Sequence, residues 1–415
     1  MSRRSLTIAA FSTVVEWYDF TLYLYLATVL SRTFFGSGEA GLLVTLAGFA
    51  VAYLIRPIGA LVFGHWGDRY GRRPAMLAAM GLMTAAMLAT ALLPTRAQVG
   101  PAAGTLLLAI RCLMGFSVGG EYTGVVAYLL EGAREDRRGF VTSLAAAASE
   151  VGALLAAGIS ALTIGLLGSA VVADWGWRLP FVFGALLAGA VLLARMQMEE
   201  SPEFERQRRT GSVPGQPLRH ALRHHRRGIL RGFAISALGS ITYYVGITYV
   251  PVFLTSVGTM DEARALQLAT LAAVAVIAVT PLTGLLADRF GRKPVLLALA
   301  MSCAVLPVAL FEFMAKGSQV LAVVGAVVLA AVAGGVSAVG AVATAEQFPG
   351  EGRLSGLAFG ATTATALFGG LTPFVSQWLL TRTGWAPLPG AMIALVAVAV
   401  LPVLVGLPET KSLRR

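Results

Sequence analysis

Six ionisable side chains stand where a charge is most costly. Glu16, Asp19, Arg56, Arg111, Glu121 and Glu150 all fall well inside long apolar runs, the first two in the stretch FSTVVEWYDFTLYLYLATVL. At the centre of a membrane-spanning helix such a group costs roughly 2.5–3.5 kcal/mol on insertion scales, so it faces a bundle interior and finds a partner. The chemistry open to carboxylates and guanidiniums in that setting is proton exchange. A carboxylate beside an arginine stays ionised; one that is desolvated, or whose arginine moves onto another anion, takes up a proton. All six lie in the first half of the chain. In the second half Glu312 lies near the end of an apolar run and Glu346 at a rim. The first half is therefore expected to carry the charge chemistry and the second to offer neutral contacts.

Depth along the runs predicts partners. Asp19 lies about 13 residues into a run leading outward and Arg111 about nine into one leading inward, which puts them at similar height at 1.5 Å per residue. Glu16 is three residues before Asp19 and shares its helix face. Arg56, ~14 Å from the inner end of its run, comes out level with Glu121, so Arg56–Glu121 is the second expected pair. Both pairs have a second reading as structural locks between helices. For Glu150 an added proton site and a protonated hydrogen-bond donor remain open.

The elements that position these groups follow from composition. The chain of 415 residues is 57% hydrophobic and only 13% charged, against about a quarter charged in soluble proteins, and its mean hydropathy is +0.76. Apolar runs repeat along its whole length, as in a polytopic, all-α membrane protein. At about 20 residues per span there is room for about twelve helices. The expected spans are 6–30, 41–65, 75–94, 102–130, 139–167, 177–198, 228–256, 263–286, 294–315, 319–345, 354–380 and 386–407. The predicted organisation is a first six-helix bundle over 1–198, a basic cytoplasmic linker over 199–227 and a second six-helix bundle over 228–415. MSRRS and the apolar run after it have the look of a signal peptide, but the run is too long and aromatic and lacks a small-x-small cleavage site, so it reads as a retained first helix.

The net charge of +11 is a record of topology, not of a nucleic-acid partner. Arginines cluster in alternate loops, at Arg69, Arg72 and Arg73, at Arg134, Arg137 and Arg138, from Arg206 to Arg227, and at Arg289, Arg292 and Lys293. By the positive-inside rule both termini and the middle loop are cytoplasmic. Cys112 and Cys303 fall within spans with no metal or disulfide spacing. His65, His220, His224 and His225 lie at a helix end or in the linker and make poor ligands. No Walker A sequence is present, so no cofactor or metal is expected. A membrane-embedded enzyme or receptor would need a nucleophile–base or metal set, and none is found.

The two halves share a repeat. GHWGDRYGRRP after the second span matches GLLADRFGRKP after the eighth, Gly64 and Gly284 standing 220 positions apart. Further blocks are EWYDF, RCLMGFSVGGEYTG, WGWRLPF, ESPEFE and AEQFPGEGRLSGLAFG. On these residues, spread over nearly the whole chain, it resembles the major facilitator superfamily and, within it, the metabolite:proton symporters that carry α-ketoglutarate, citrate, shikimate, and proline or betaine. The resemblance implies two pseudo-symmetric six-helix halves in the bacterial inner membrane. It implies proton-driven uptake of a small organic acid or zwitterion by a carrier that acts as a monomer. The alternative is a proton antiporter exporting a metabolite or drug; exporters of that kind carry a proline in a glycine-rich fifth span, and SEVGALLAAGISALTIG has none.

The expected sites then group as follows. Asp19, Glu16 and Glu150 couple protons. Arg111, Arg56, Glu121, Tyr243, Tyr244, Thr248 and Thr362 contact substrate. A looser likeness to sugar–proton symporters, where a first-helix Asp meets a fourth-helix Arg, supports Asp19–Arg111. Gly64, Asp68, Arg69, Gly71 and Arg72, with Gly284, Asp288, Arg289, Gly291 and Arg292, form paired latches whose aspartates accept from a helix N-terminus or an arginine. Tyr243 and Tyr244 lie too deep for an interfacial belt, whereas Tyr249 fits the outer belt. Met114 and Ala361-Thr362 depart from the family's Gln and Tyr-Asn, a change toward a smaller or less polar ligand.

Overall fold

The computed structural model describes residues 1–36, 39–257, 259–316 and 318–411. Among the described residues the protein is all-α, with twelve main helices in two six-helix bundles. The first bundle contains α1 (Arg3–Tyr25), α2 (Glu39–Tyr70), α3 (Arg72–Leu92), α4 (Ala102–Gly132), α5 (Arg138–Val171) and α6 (Arg178–Arg195). The second contains α7 (Arg226–Tyr243), α8 (Glu262–Phe290), α9 (Arg292–Ala315), α10 (Gln319–Ala345), α11 (Arg353–Thr383) and α12 (Leu388–Val405). Helix α7 continues through a π-helical segment, Tyr244–Thr248, into Val250–Ser256, bending by 45°. Two short helices, Pro202–Thr210 and Pro217–His224, occupy the linker.

Among the described residues ten helices are long and apolar enough to cross a membrane, and the bent α7 makes an eleventh. The twelfth is α1, whose hydropathy is lowered by Glu16, Asp19 and its tyrosines. Each bundle has its own core. Tyr18, Met80, Met83, Met87, Trp177 and Phe181 fill the first; Leu238, Phe253, Phe311, Met314 and Ile393 fill the second. Leu92, Leu166, Leu186, Val320, Phe374 and Leu395 point outward and exposed, as they must where the surrounding solvent is lipid.

The bundles meet mainly where α2 lies against α11 and where α5 lies against α8 and α10. Single-residue turns explain the repeated glycine of the sequence motif. Gly71 joins α2 to α3 at φ 121°, ψ 151°, and Gly291 joins α8 to α9 at φ 107°, ψ 156°, a region open essentially to glycine alone. Pro74 and Pro294 follow in the first turn of the next helix, where no backbone hydrogen bond is lost. These turns and the linker share the face that holds the start of α1 and the segment around Glu409, called here the terminal face.

Candidate functional site

A cavity of about 180 Å³ lies between the bundles. The first bundle lines it with Glu16, Trp17, Tyr53, Arg56, Tyr122 and Glu150; the second contributes Ser236, Ser240, Tyr243, Tyr244, Thr362 and Thr365. Every Asp, Glu, Arg or Lys on its wall comes from the first bundle. The second offers hydroxyls and apolar surface.

The acids of α1 share one stripe. Asp19 accepts from Arg111 Nη1 at 2.8 Å, and the guanidinium lies 4.4 Å from the Tyr23 ring centroid. Glu16 pairs with Arg56 at 3.5 Å, and Arg56 sits 4.0 Å over the Tyr53 ring. Glu16 and Arg56 line both the main cavity and a smaller pocket of about 10 Å³ that holds Asp19, Arg111 and Met114. The Asp19–Arg111 pair thus stands behind the Glu16–Arg56 pair, outside the main cavity. Glu16 Oε2, Asp19 Oδ1, Arg111 Nε and Thr362 Oγ1 are buried without a hydrogen-bond partner among the described residues.

The expected Arg56–Glu121 pair does not form. Glu121 is buried against Arg195, accepting from Nη1 at 2.9 Å and from Nη2, which also donates to Ser12. The reason is the side of α4 that each residue meets: α2 packs Arg56 against Gly119, nearly level with Glu121, whereas Glu121 points to another side of α4, among Ser12 of α1, Met76 of α3 and Arg195 of α6. Arg56 meets Glu16 instead. Arg195 escaped the sequence reading because it is the last residue of α6, where a charge is unremarkable; the structure buries it fully.

Glu150 is held differently. Tyr243, from the opposite bundle, donates to its Oε1 at 2.5 Å, and among the described residues no guanidinium or ammonium pairs with it. A second tyrosine link crosses the bundles, from Tyr53 to Tyr244. Thr362 faces the cavity, whereas Thr248 is exposed and does not line it. Tyr249, expected in an outer aromatic belt, is buried in the second core and donates to Gln377 Oε1 at 2.6 Å.

On the terminal face the two repeated loops make equivalent contacts. Asp68 of α2 accepts from Leu354 and Ser355 N–H at the start of α11, at 3.2 and 2.8 Å, and pairs with Arg72 at 3.0 Å. Asp288 of α8 accepts from Gly139 and Phe140 N–H at the start of α5, both at 2.8 Å, and pairs with Arg292 at 3.2 Å. A Cβ at Gly64 would approach the Leu354 carbonyl to 3.0 Å, and one at Gly284 the Gly139 carbonyl to 2.6 Å, so both positions need glycine for the bundles to close. Two acids missed in the sequence reading of this network complete it. Glu131 bridges Arg72 at 3.1 Å and Arg353 at 2.7 Å; Glu346 bridges Arg292 at 3.2 Å and Arg138 at 3.9 Å. Arg69 and Arg289 stay outside it, each exposed over its neighbouring ring, Tyr70 or Phe290.

One further acid serves each loop. Glu200 from the linker accepts from Arg72 and Arg73 N–H, and Glu409 from the C-terminal segment accepts from Arg292 and Lys293 N–H, at 3.0–3.2 Å for the nearest oxygens. Burial pushes the Glu200 carboxyl above its ordinary range despite those donors. Burial also acts on Glu409, but its backbone N–H donors outweigh it and hold the carboxyl below the ordinary range.

A family model described as "Sugar (and other) transporter" matches residues 5–214 and again 215–414. The glycine betaine/proline/ectoine/pipecolic acid transporter OusA of Dickeya dadantii is 33% identical over 95% of this chain and 81% of its own length. The citrate-proton symporter of Klebsiella pneumoniae is 30% identical over 92% of this chain and 87% of its own. Among solved structures, the proton:xylose symporter XylE bound to 6-bromo-6-deoxy-D-glucose superposes with a TM-score of 0.82 at 19% identity, covering 98% of this chain and 96% of that one.

Proposed function

This chain belongs to the sugar (and other) transporter family of the major facilitator superfamily, and we propose that it takes up a small zwitterionic solute together with a proton. It is a multi-pass membrane transporter, not an enzyme. The observation that carries the proposal is the charge distribution in the cavity: Arg56 and Glu150, an acid with no basic partner among the described residues, both face the same small space. A solute with a carboxylate at one end and a cationic nitrogen at the other matches both groups. The rings of Trp17, Tyr122 and Tyr243 on the same wall favour a cation by their negative faces. A dicarboxylate leaves Glu150 facing a like charge. The names of relatives that carry betaine and proline support this reading; the citrate relative supports the broader class of small organic acids.

Proton coupling follows from the α1 acids. Arg56 is shared between Glu16 and any carboxylate that arrives in the cavity. When it turns to the solute, Glu16 loses its countercharge and takes a proton from the open side. Asp19, behind it, passes or receives the same proton as its contact with Arg111 loosens. With both charges neutralised the bundles rock about the site, and the contacts of Asp68 and Asp288 with α11 and α5 break as the terminal face opens. We place that face in the cytoplasm of a bacterial inner membrane, on the basis of its arginine clusters, with the proton gradient as the energy source and no cofactor.

The test is uptake into proteoliposomes of labelled betaines, proline and dicarboxylates, with and without an imposed pH gradient. Gradient-driven accumulation of a zwitterion with poor uptake of dicarboxylates is the expected result. Uptake indifferent to the gradient rejects symport, and efflux driven by an inward gradient establishes the antiporter reading instead.

A further inference from the structure

A third guanidinium stands on the polar stripe of α1, away from the cavity. Ser12, Glu16 and Asp19 are four and three residues apart, so they share one helix face. Each meets an arginine from a different helix: Ser12 meets Arg195 of α6, Glu16 meets Arg56 of α2, and Asp19 meets Arg111 of α4. The Arg195 side chain turns inward between α1, α3 and α4. Its Nη1 donates to the Met76 carbonyl and to Glu121 Oε2, both at 2.9 Å, and its Nη2 donates to Ser12 and to Glu121 Oε1. This is a two-pronged ion pair, the geometry in which arginine fixes a carboxylate in orientation as well as charge.

Neither member of the pair lines the cavity, so neither touches a solute bound there. Their charges reach Glu16 all the same. The groups facing Glu16 are Arg56 and Tyr53 of α2, Glu121 and Tyr122 of α4, and Arg195 of α6, with Asp19 one turn along α1 and Glu150 across the cavity. Glu121 and Arg195 carry opposite charges, and because they are bound to each other each offsets the other's field at Glu16.

We infer that Arg195–Glu121 is a positioning pair for the proton-coupling acid. It holds α1 in register through Ser12 and keeps the field at Glu16 balanced, so that Arg56 and the arriving solute alone decide when Glu16 binds its proton. The inference rests on Glu16 being a coupling acid, as proposed above. It assigns Glu121 a place beneath the coupling site, not in the solute's contact shell.

Trp17, beside Glu16 on the cavity wall, supplies a readout that needs no solute. The pH titration of its fluorescence is recorded on the purified full-length protein, after subtraction of a Trp17→Phe background. A transition that disappears in Glu16→Gln reports Glu16; identical titrations in the two proteins reject the coupling role of Glu16 itself and, with it, this inference. Given that transition, Glu121→Gln is expected to lower its midpoint and Arg195→Met to raise it, each by roughly one pH unit, as for the gain or loss of a nearby charge. The double variant should return the midpoint to within a few tenths of a unit of wild type, and Arg195→Lys should retain it. Single variants that keep the wild-type midpoint, or move it in the same direction, overturn the inference and leave the pair a structural lock. If Arg195→Met does not fold, Glu121→Gln decides the question by itself, since the amide keeps the size of the side chain and an acceptor for Arg195.

Discussion

The two bundles solve opposite problems with one architecture. In the first, besides the latch acids of the terminal face, three buried carboxylates are each matched to a guanidinium, Asp19 to Arg111, Glu16 to Arg56 and Glu121 to Arg195, and a fourth, Glu150, is left to a tyrosine. In the second, the cavity wall is made of serine, threonine and tyrosine hydroxyls, such as Ser240, which donates to Thr365 at 3.0 Å. Breaking a buried ion pair by removing one partner costs about 3–5 kcal/mol, whereas a single neutral hydrogen bond is worth about 1 kcal/mol. Around the cavity, strong, switchable pairs on one side and weak, neutral contacts on the other together allow the charge state of the first bundle to control how the second closes over it.

The largest effect should come from Asp19→Asn or Glu16→Gln. Either is expected to abolish gradient-driven accumulation while sparing solute exchange across the membrane; accumulation at the wild-type level in both would remove the α1 acids from the coupling machinery. Next come the latches, which sharpen the comparison on the terminal face. Asp68, Arg72 and Glu131 are fully buried, while Asp288 and Arg292 are slightly open and Arg138 is about a third exposed. Asp68→Asn should therefore lower transport rate roughly tenfold or more and Asp288→Asn several-fold less, as buried charged hydrogen bonds exceed exposed ones. Equal losses would show that the two loops carry equal load.

Smaller changes are expected in the second bundle. Ser240→Ala or Thr362→Val should raise KM about two- to fivefold with kcat little changed, the range for one neutral hydrogen bond; a loss of accumulation without a change in KM would assign coupling to hydroxyls as well. The smallest effect separates the two capping acids by pH. Glu409, held below its ordinary range, contributes stability above the unfolded value near 4.5, and that contribution is lost as pH falls through its folded value. Glu200, held above its ordinary range, has the opposite sign: its contribution is present below the unfolded value and is lost as pH rises through the folded one. Thermal unfolding in detergent at pH 7 should accordingly show Glu409→Gln lowering Tm by a few degrees and Glu200→Gln nearly neutral or slightly stabilising. The Glu409→Gln deficit should shrink toward pH 4.

Much of this was legible in the residues. Span number, the duplicated loop and the confinement of charge well inside the spans to the first half all follow from hydropathy and motif spacing, because lipid imposes long apolar helices and penalises every exception. The Asp19–Arg111 contact was also within reach, since both residues lie near the middle of their helices, where errors in helix ends matter least. Arg56–Glu121 failed for another reason: height along a span does not tell which side of a helix faces which neighbour, and Arg56 packs beside Gly119 while Glu121 points away from α2 toward Arg195. Arg195 and Glu131 were hidden at helix ends, where a charge carries no hydropathy penalty and so no signal. Only packing reveals that such an end is turned inward. Tyr249 was misplaced because hydropathy does not sense the bend of α7, which swings that ring into the core beside Gln377.

The polarity of α1 has a consequence for how the protein is made. Its two acids find their arginines only 40 and 92 residues later in the chain, so the newly synthesised helix meets the bilayer with both carboxylates unmatched. At roughly 2.5–3.5 kcal/mol for an acid near mid-membrane, it is a poor anchor by itself. The insertion machinery must keep α1 sheltered until α2 and then α4 emerge to neutralise it, which makes the first four helices a unit of biogenesis and leaves any chain truncated before Arg111 prone to slip back out of the membrane.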